Sequence, residues 1–172
     1  MNSIDEGEKI ESYHAILFTI CFLATAFAGT VSTLMSVYLP IAVKDLLGNV
    51  DDNSLNNISA YINAMFIFGS SFGGFICGII SDNIGRKKGL TIAITLYGLF
   101  TILTGFMYSW ETVVVCRFLS GFGVGGVLVT TTTLMIEEWP KKSRALYMGF
   151  LSISIPIGIF SAGVIDYFIY SW

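Results

Sequence analysis

Arg86, Lys87 and Lys88 stand in a row between two long apolar stretches, inside the segment GIISDNIGRKK that runs from Gly78 to Lys88. Three adjacent cations flanked on each side by about 20 residues of hydrocarbon side chain read as the cytoplasmic turn between two membrane-spanning helices. The composition agrees. The chain is 54% hydrophobic and 12% charged over 172 residues, against about one-quarter charged in a soluble domain. The fold class expected is an all-α membrane protein.

Nothing charged occurs from Ala15 to Val43, more than enough to cross about 30 Å at 1.5 Å per residue. Pro40 is expected to mark the exit of this span. The five spans expected are about 15–39, 58–80, 90–108, 112–136 and 145–168, forming one transmembrane bundle over 15–172 behind an acidic amino-terminal segment, 1–14. That segment carries Asp5, Glu6, Glu8 and Glu11, the wrong sign for the basic start of a cleavable signal peptide. Lys9, Arg86, Lys87, Lys88, Lys141, Lys142 and Arg144 fall on one side of the five spans and only Lys44 on the other. The positive-inside rule then puts the amino terminus in the cytoplasm of a multi-pass protein. It does not distinguish plasma membrane from an internal membrane.

The basic residues form two short clusters and not a stripe, so no nucleic-acid partner is expected. Cys21, Cys77 and Cys116 fall in apolar segments without a CxxC spacing or a histidine cluster, and read as packing residues. No metal, no cofactor, no catalytic residue and no enzymatic activity are expected. The run GFGVGG lies within an apolar helix with no strand before it, which removes the context a nucleotide loop needs.

Lipid gives helices no hydrophobic reason to associate, so small residues that admit a neighbouring backbone have to supply the contact. Gly69 and Gly73, Gly74 and Gly78, and Gly121 and Gly125 are spaced four apart, and are expected to pack helix on helix. Thr25, Ser32, Ser36 and Thr130 bring hydroxyls into the spans. They either line an aqueous pathway or bond the carbonyl one turn earlier, and both readings stay open. Arg117 and Asp166 lie at similar depth near the outer ends of the fourth and fifth spans. Each is expected to face a partner or a water-filled cavity, with snorkelling to the interface as the alternative.

Gly78, Asp82, Gly85, Arg86, Lys87 and Lys88 match the signature GxxxD(R/K)xGR(R/K)(R/K), with Asn83 where a cation is usual, and Glu137, Pro140 and Arg144 match a second pattern, ExxPxxxR. With RFLSGFGVGG from Arg117 to Gly126, these residues resemble the amino-terminal part of a major facilitator superfamily transporter, of the sugar-porter or organic-ion branches. The resemblance implies two helical bundles rocking about a central site, and a cytoplasmic latch built from Asp82, Arg86, Glu137 and Arg144. It implies transport of a small organic solute, such as a sugar, an organic ion or a carboxylate, by alternating access. Proton-coupled sugar carriers of this kind pair a first-helix acid with the fourth-helix arginine. Here Ala28 and Gly29 stand near that place, which puts coupling to protons by that route in doubt and leaves Arg117 to an anionic substrate or to Asp166. Absence of GPxxGG in the fifth span leans toward a uniporter or symporter.

Such carriers have twelve spans in two halves of six, each half made of inverted three-helix repeats. Five spans therefore read as a fragment or truncated product of a longer carrier that works with the missing carboxyl-terminal helices. The rivals are an accessory subunit of a membrane complex and, third, a carrier formed by two copies of this chain.

Overall fold

The computed structural model describes residues 12–47 and 51–170. Five helices account for nearly all of them: α1 (Ser12–Leu47), α2 (Asp52–Ile84), α3 (Arg86–Thr104), α4 (Trp110–Glu138) and α5 (Arg144–Tyr170). No strand occurs among the described residues, and in hydrocarbon a helix is the element that satisfies every backbone group within one segment. By length and composition, α1, α2, α4 and α5 can each cross a membrane. The shorter α3, 19 residues or about 28 Å, opens on the three cations Arg86, Lys87 and Lys88. The acidic amino-terminal segment lies outside the described residues up to position 11.

Helix ends depart from the expected span ends at several places: α2 begins at Asp52 and ends at Ile84, overrunning the expected 58–80 at both ends, and two further departures have a visible cause. Pro40 lies inside α1, which continues to Leu47. Leu39 and Val43, one turn apart across the proline, are buried in a cluster with Ile62 of α2 and Val113 of α4, and this packing carries the helix forward despite the lost backbone donor. In addition, α3 stops at Thr104, four residues short of the expected end. The Gly105 N–H folds back on the Ile102 and Leu103 carbonyls, and the chain turns there into α4.

Close contacts give the helix directions. Gly69 lies on the backbone of Phe118 and Gly73 on that of Phe122, so numbers rise together and α2 runs parallel to α4. Between α1 and α5, Thr25 meets Ser154 and Thr30 meets Ser161, again parallel. Gly126 abuts Ala93 and Gly123 abuts Tyr97, so α3 runs against α4. His14 reaches Glu138 while Ala28 and Val124 share a cleft, so α1 also opposes α4. The odd-numbered helices thus point one way and the even-numbered helices the other.

The most extensive interfaces are α2 with α4, α3 with α4, and α1 with α5. A Cβ at Gly69, Gly73, Gly121 or Gly125 would sit within the envelope of a backbone oxygen of the facing helix, on Phe118, Phe122, Phe66 and Ser70 respectively. At Gly74 it would be 3.1 Å from Val129 Cγ2, and at Gly78 a comfortable 3.5 Å from Val129 Cγ1. The α1–α5 seam uses Gly158, whose added Cβ would strike the Ala26 carbonyl, and Gly29, 3.0 Å from the Ile155 oxygen. The main core, around Leu17, Ala24, Ala28, Leu90, Val124, Val127 and Leu134, joins α1, α3 and α4.

Candidate functional site

The turn between α2 and α3 is a single residue. Gly85 has φ +96°, alone in that region among the described residues, where a side chain would be strained. Its N–H donates to the Ser81 carbonyl at 3.0 Å, closing α2, and α3 begins at once with Arg86. Gly89, absent from the expected packing set, makes the hairpin tight: a Cβ there would be 2.6 Å from Ser81 Oγ.

Asp82 sits in the last turn of α2, where the helix dipole disfavours an anion. Arg86 answers it with an ion pair to Asp82 Oδ1. The same guanidinium reaches the end of α4, where Nε donates to both Glu137 carboxylate oxygens at 3.0 Å and Nη2 donates to Oε1 at 2.8 Å. This fork-shaped recognition is geometry that lysine lacks. Hydrogen bonding to Glu137 raises the Arg86 pKa above its already high ordinary value, with the charges of Glu137 and Asp82 adding to it. One arginine therefore ties the ends of α2, α3 and α4 together.

Arg144 stands apart from that trio. The α4 helix ends at Glu138 with Trp139 as its cap, the Pro140 carbonyl accepts from the Ser143 and Arg144 N–H groups, and Arg144 Nη2 donates to the Trp139 carbonyl at 3.1 Å. It satisfies an orphan carbonyl at a helix end, and its Nε is buried without a partner. Lys87 lies with Nζ 4.7 Å above the Tyr13 ring, and Lys88 is exposed. Trp139 is clasped by His14, Phe18 and Tyr147, and His14 Nε2 lies 3.2 Å from the Glu138 carbonyl, which ties the start of α1 to the same end of the bundle.

Deeper in the bundle, Arg117 of α4 is 4% exposed. Its guanidinium lies 5.7 Å from the ring centroid of Phe66 on α2, its Nε is buried without a hydrogen-bond partner, and it forms no ion pair among the described residues. Asp166 is half-buried with Oδ1 also unpartnered, and no ion pair joins it to Arg117. The two share depth but not direction: Arg117 lies on the α4 face that meets α2, whereas Asp166 belongs to α5, which packs on α1.

The hydroxyls divide between the two readings. Thr25 donates to the Cys21 and Phe22 carbonyls and meets Ser154 Oγ at 2.5 Å, so it is a buried seam contact. Ser36 donates to the Ser32 carbonyl at 2.9 Å and to Asn63 Oδ1 of α2 at 3.3 Å. Thr130 is fully buried and its Oγ1 has no partner. Ser32 lines a cleft of about 210 Å³ between α1, α4 and α5, together with Gly29, Thr33, Val124 and Leu128. Sequence reasoning missed Phe66, Asn63 and Ser154. Asn63 left a signal, an amide amid an apolar run; the other two matter only once their helix neighbours are known. Among the described residues no group of three metal-ligating side chains occurs.

The profile of the Major Facilitator Superfamily matches residues 21–172. The chain is similar to the benzoate transport protein of Acinetobacter baylyi, at 28% identity over 100% of this chain and 37% of that protein. It is similar to synaptic vesicle glycoprotein 2C of Mus musculus, at 28% identity over 90% of the chain and 22% of the relative. The 4-hydroxybenzoate transporter PcaK of Pseudomonas aeruginosa is 25% identical over 93% of the chain and 34% of its own length. The chain thus spans between about one-fifth and two-fifths of these curated relatives.

Proposed function

The chain belongs to the Major Facilitator Superfamily, and from that membership we propose that it forms part of a carrier moving a small organic anion, a carboxylate, across a membrane by alternating access. The observation that carries this reading is Arg117. A cation 4% exposed, without an ion pair among the described residues, costs at least about 2.5 kcal/mol in a membrane interior. Ionisable groups within a span pair with one another or mark a substrate or ion pathway. A solute carboxylate is a partner for such a cation; relatives are named as benzoate and 4-hydroxybenzoate transporters and also as myo-inositol transporters, so it is the unpaired Arg117 that favours an anion over a neutral solute.

The cleft lined by Gly29, Ser32 and Thr33 of α1, Val124 and Leu128 of α4, and Ile155 of α5 offers an apolar wall with a few hydroxyls; Arg117 does not line it, but stands about two turns before Val124 on α4, so a solute would pass from one to the other. The remaining helices of the carrier would close its open side. At the opposite end of the mechanism, the Asp82, Arg86 and Glu137 trio forms the cytoplasmic latch, holding α2, α3 and α4 as one body while the bundles rock. A cytoplasmic basic turn is supported by the positive-inside rule: six of the seven Lys and Arg residues at or between helix ends in the described residues lie at that end of the bundle, with Lys44 alone opposite.

The test is uptake of radiolabelled benzoate and of myo-inositol by proteoliposomes holding the complete carrier, with and without Arg117→Gln. The proposal expects benzoate uptake that falls at least tenfold in the variant while insertion and abundance hold. Uptake of benzoate unaffected by Arg117→Gln, or uptake of inositol alone, would overturn it.

A further inference from the structure

We infer that Phe66 is the positioning residue of Arg117, an aromatic platform on α2 that fixes the plane in which the guanidinium meets an incoming carboxylate. Three observations converge on it. The Arg117 guanidinium carbon lies 5.7 Å from the Phe66 ring centroid, within the reach of a cation–π contact. Phe66 cannot drift from α4, because its carbonyl presses on Gly121, and its Cδ2 lies 3.2 Å from where a Gly121 Cβ would stand. Gly121 follows Arg117 by one turn, so the glycine that admits Phe66 and the arginine that Phe66 supports share one face of α4. Arg117 Nε has no hydrogen-bond partner, so among the described residues the ring is the contact that orients the group.

The chemistry explains why an aromatic ring serves here. A carboxylate in place of Phe66 would neutralise the arginine and compete with an anionic solute. A hydroxyl would take one donor from the fork. The ring face attracts the cation without consuming any N–H, so the in-plane donors stay available for a bidentate carboxylate. The Gly121–Phe66–Arg117 set is thus a pre-organised anion receptor whose stiffness comes from the α2–α4 glycine seam.

This inference rests on the reading of Arg117 as the solute contact, and two readouts separate their failures. The first is the Arg117 side-chain 15Nε–Hε resonance in detergent micelles, which reports the ring directly and needs no solute. Phe66→Leu is expected to abolish the ring-current shift, and Phe66→Tyr to keep it. The second is benzoate affinity of the complete carrier: Phe66→Leu is expected to weaken binding about tenfold, between the worth of an exposed and of a desolvated cation–π contact. Phe66→Tyr should stay within about twofold of the parent, and in an Arg117→Gln background Phe66→Leu should add nothing. A resonance indifferent to Phe66→Leu, or an affinity loss that persists undiminished in the Arg117→Gln background, would overturn the positioning role. A ring-dependent resonance with benzoate affinity indifferent to both residues would instead sink the solute reading and leave Phe66 as a structural support only.

Discussion

Replacing Gly125 with alanine adds one methyl group that, among the described glycines, makes the shortest approach to a facing backbone atom. Its Cβ would fall within the envelope of the Ser70 carbonyl oxygen and 2.9 Å from the Gly74 nitrogen. Both are backbone atoms, which cannot rotate away, so α2 and α4 must separate along their largest interface. Overpacking of this kind costs about 1–3 kcal/mol, and separation also loosens the neighbouring Gly121–Phe66 and Gly73–Phe122 contacts. Against it stands about 1 kcal/mol from alanine's better helix propensity, leaving a net loss of about 0–2 kcal/mol, and a gap of about 1–3 kcal/mol from a helical glycine-to-alanine change without the clash. Gly78→Ala is the matched control. It has the same chemistry on the same seam, but its Cβ meets Val129 Cγ1 at an ordinary 3.5 Å, so it should be neutral or slightly stabilising. Titration of purified protein from dodecylmaltoside into sodium dodecyl sulfate, followed by circular dichroism, measures both. Equal midpoints for the two variants would refute the claim that backbone contact through Gly125 holds α2 to α4.

Gly85→Ala should destabilise the α2–α3 hairpin by about 1 kcal/mol, although nothing lies within 4 Å of its Cβ position, because φ is +96°; the same titration reads it, and an unchanged midpoint would contradict the strain argument. Arg86→Lys keeps the charge but loses the two-pronged hold on Glu137. With both carboxylates about half exposed, the stability loss should stay below about 1 kcal/mol, while crosslinking between cysteines placed at Ile84 and Glu138 should broaden in distance; a loss of several kcal/mol would mean the trio is far more shielded than its exposure implies. Thr25→Val breaks the Ser154 contact and should cost about 0.6 kcal/mol, the usual worth of an interhelical hydrogen bond in a membrane, and a cost above about 2 kcal/mol would contradict it.

The helices were legible because the relevant signals are local, whereas the α1–α5 seam through Gly158, which has no glycine four residues away, was not. Small residues four apart, Gly69 with Gly73 and Gly121 with Gly125, mark one face whatever lies opposite. What could not be read was direction around the axis. Depth placed Arg117 and Asp166 at one level, but only the packing of α4 on α2 and of α5 on α1 turns them toward different neighbours. Pro40 punctuates the local sequence, yet Leu39 and Val43 find Ile62 and Val113 from distant segments, and that burial overrides the break. Arg144 follows Glu137 at a spacing that suggests a shared cluster, but the Pro140 turn delivers it to the Trp139 carbonyl. The missed Phe66 has no polar atom to draw notice; its role depends on a cation that another helix supplies.

The account turns on five alternating crossings, including α3, whose cationic start makes it the least membrane-like of the helices. Single cysteines at Asn53, Lys88, Tyr108 and Lys141, all exposed, in a background with Cys21, Cys77 and Cys116 replaced, can be challenged in intact cells with an impermeant maleimide. Positions 53 and 108 should label from outside and positions 88 and 141 only after permeabilisation. Labelling of 88 and 108 from the same side would mean α3 does not cross, and the inverse pattern would put the basic turn outside; either would contradict the account.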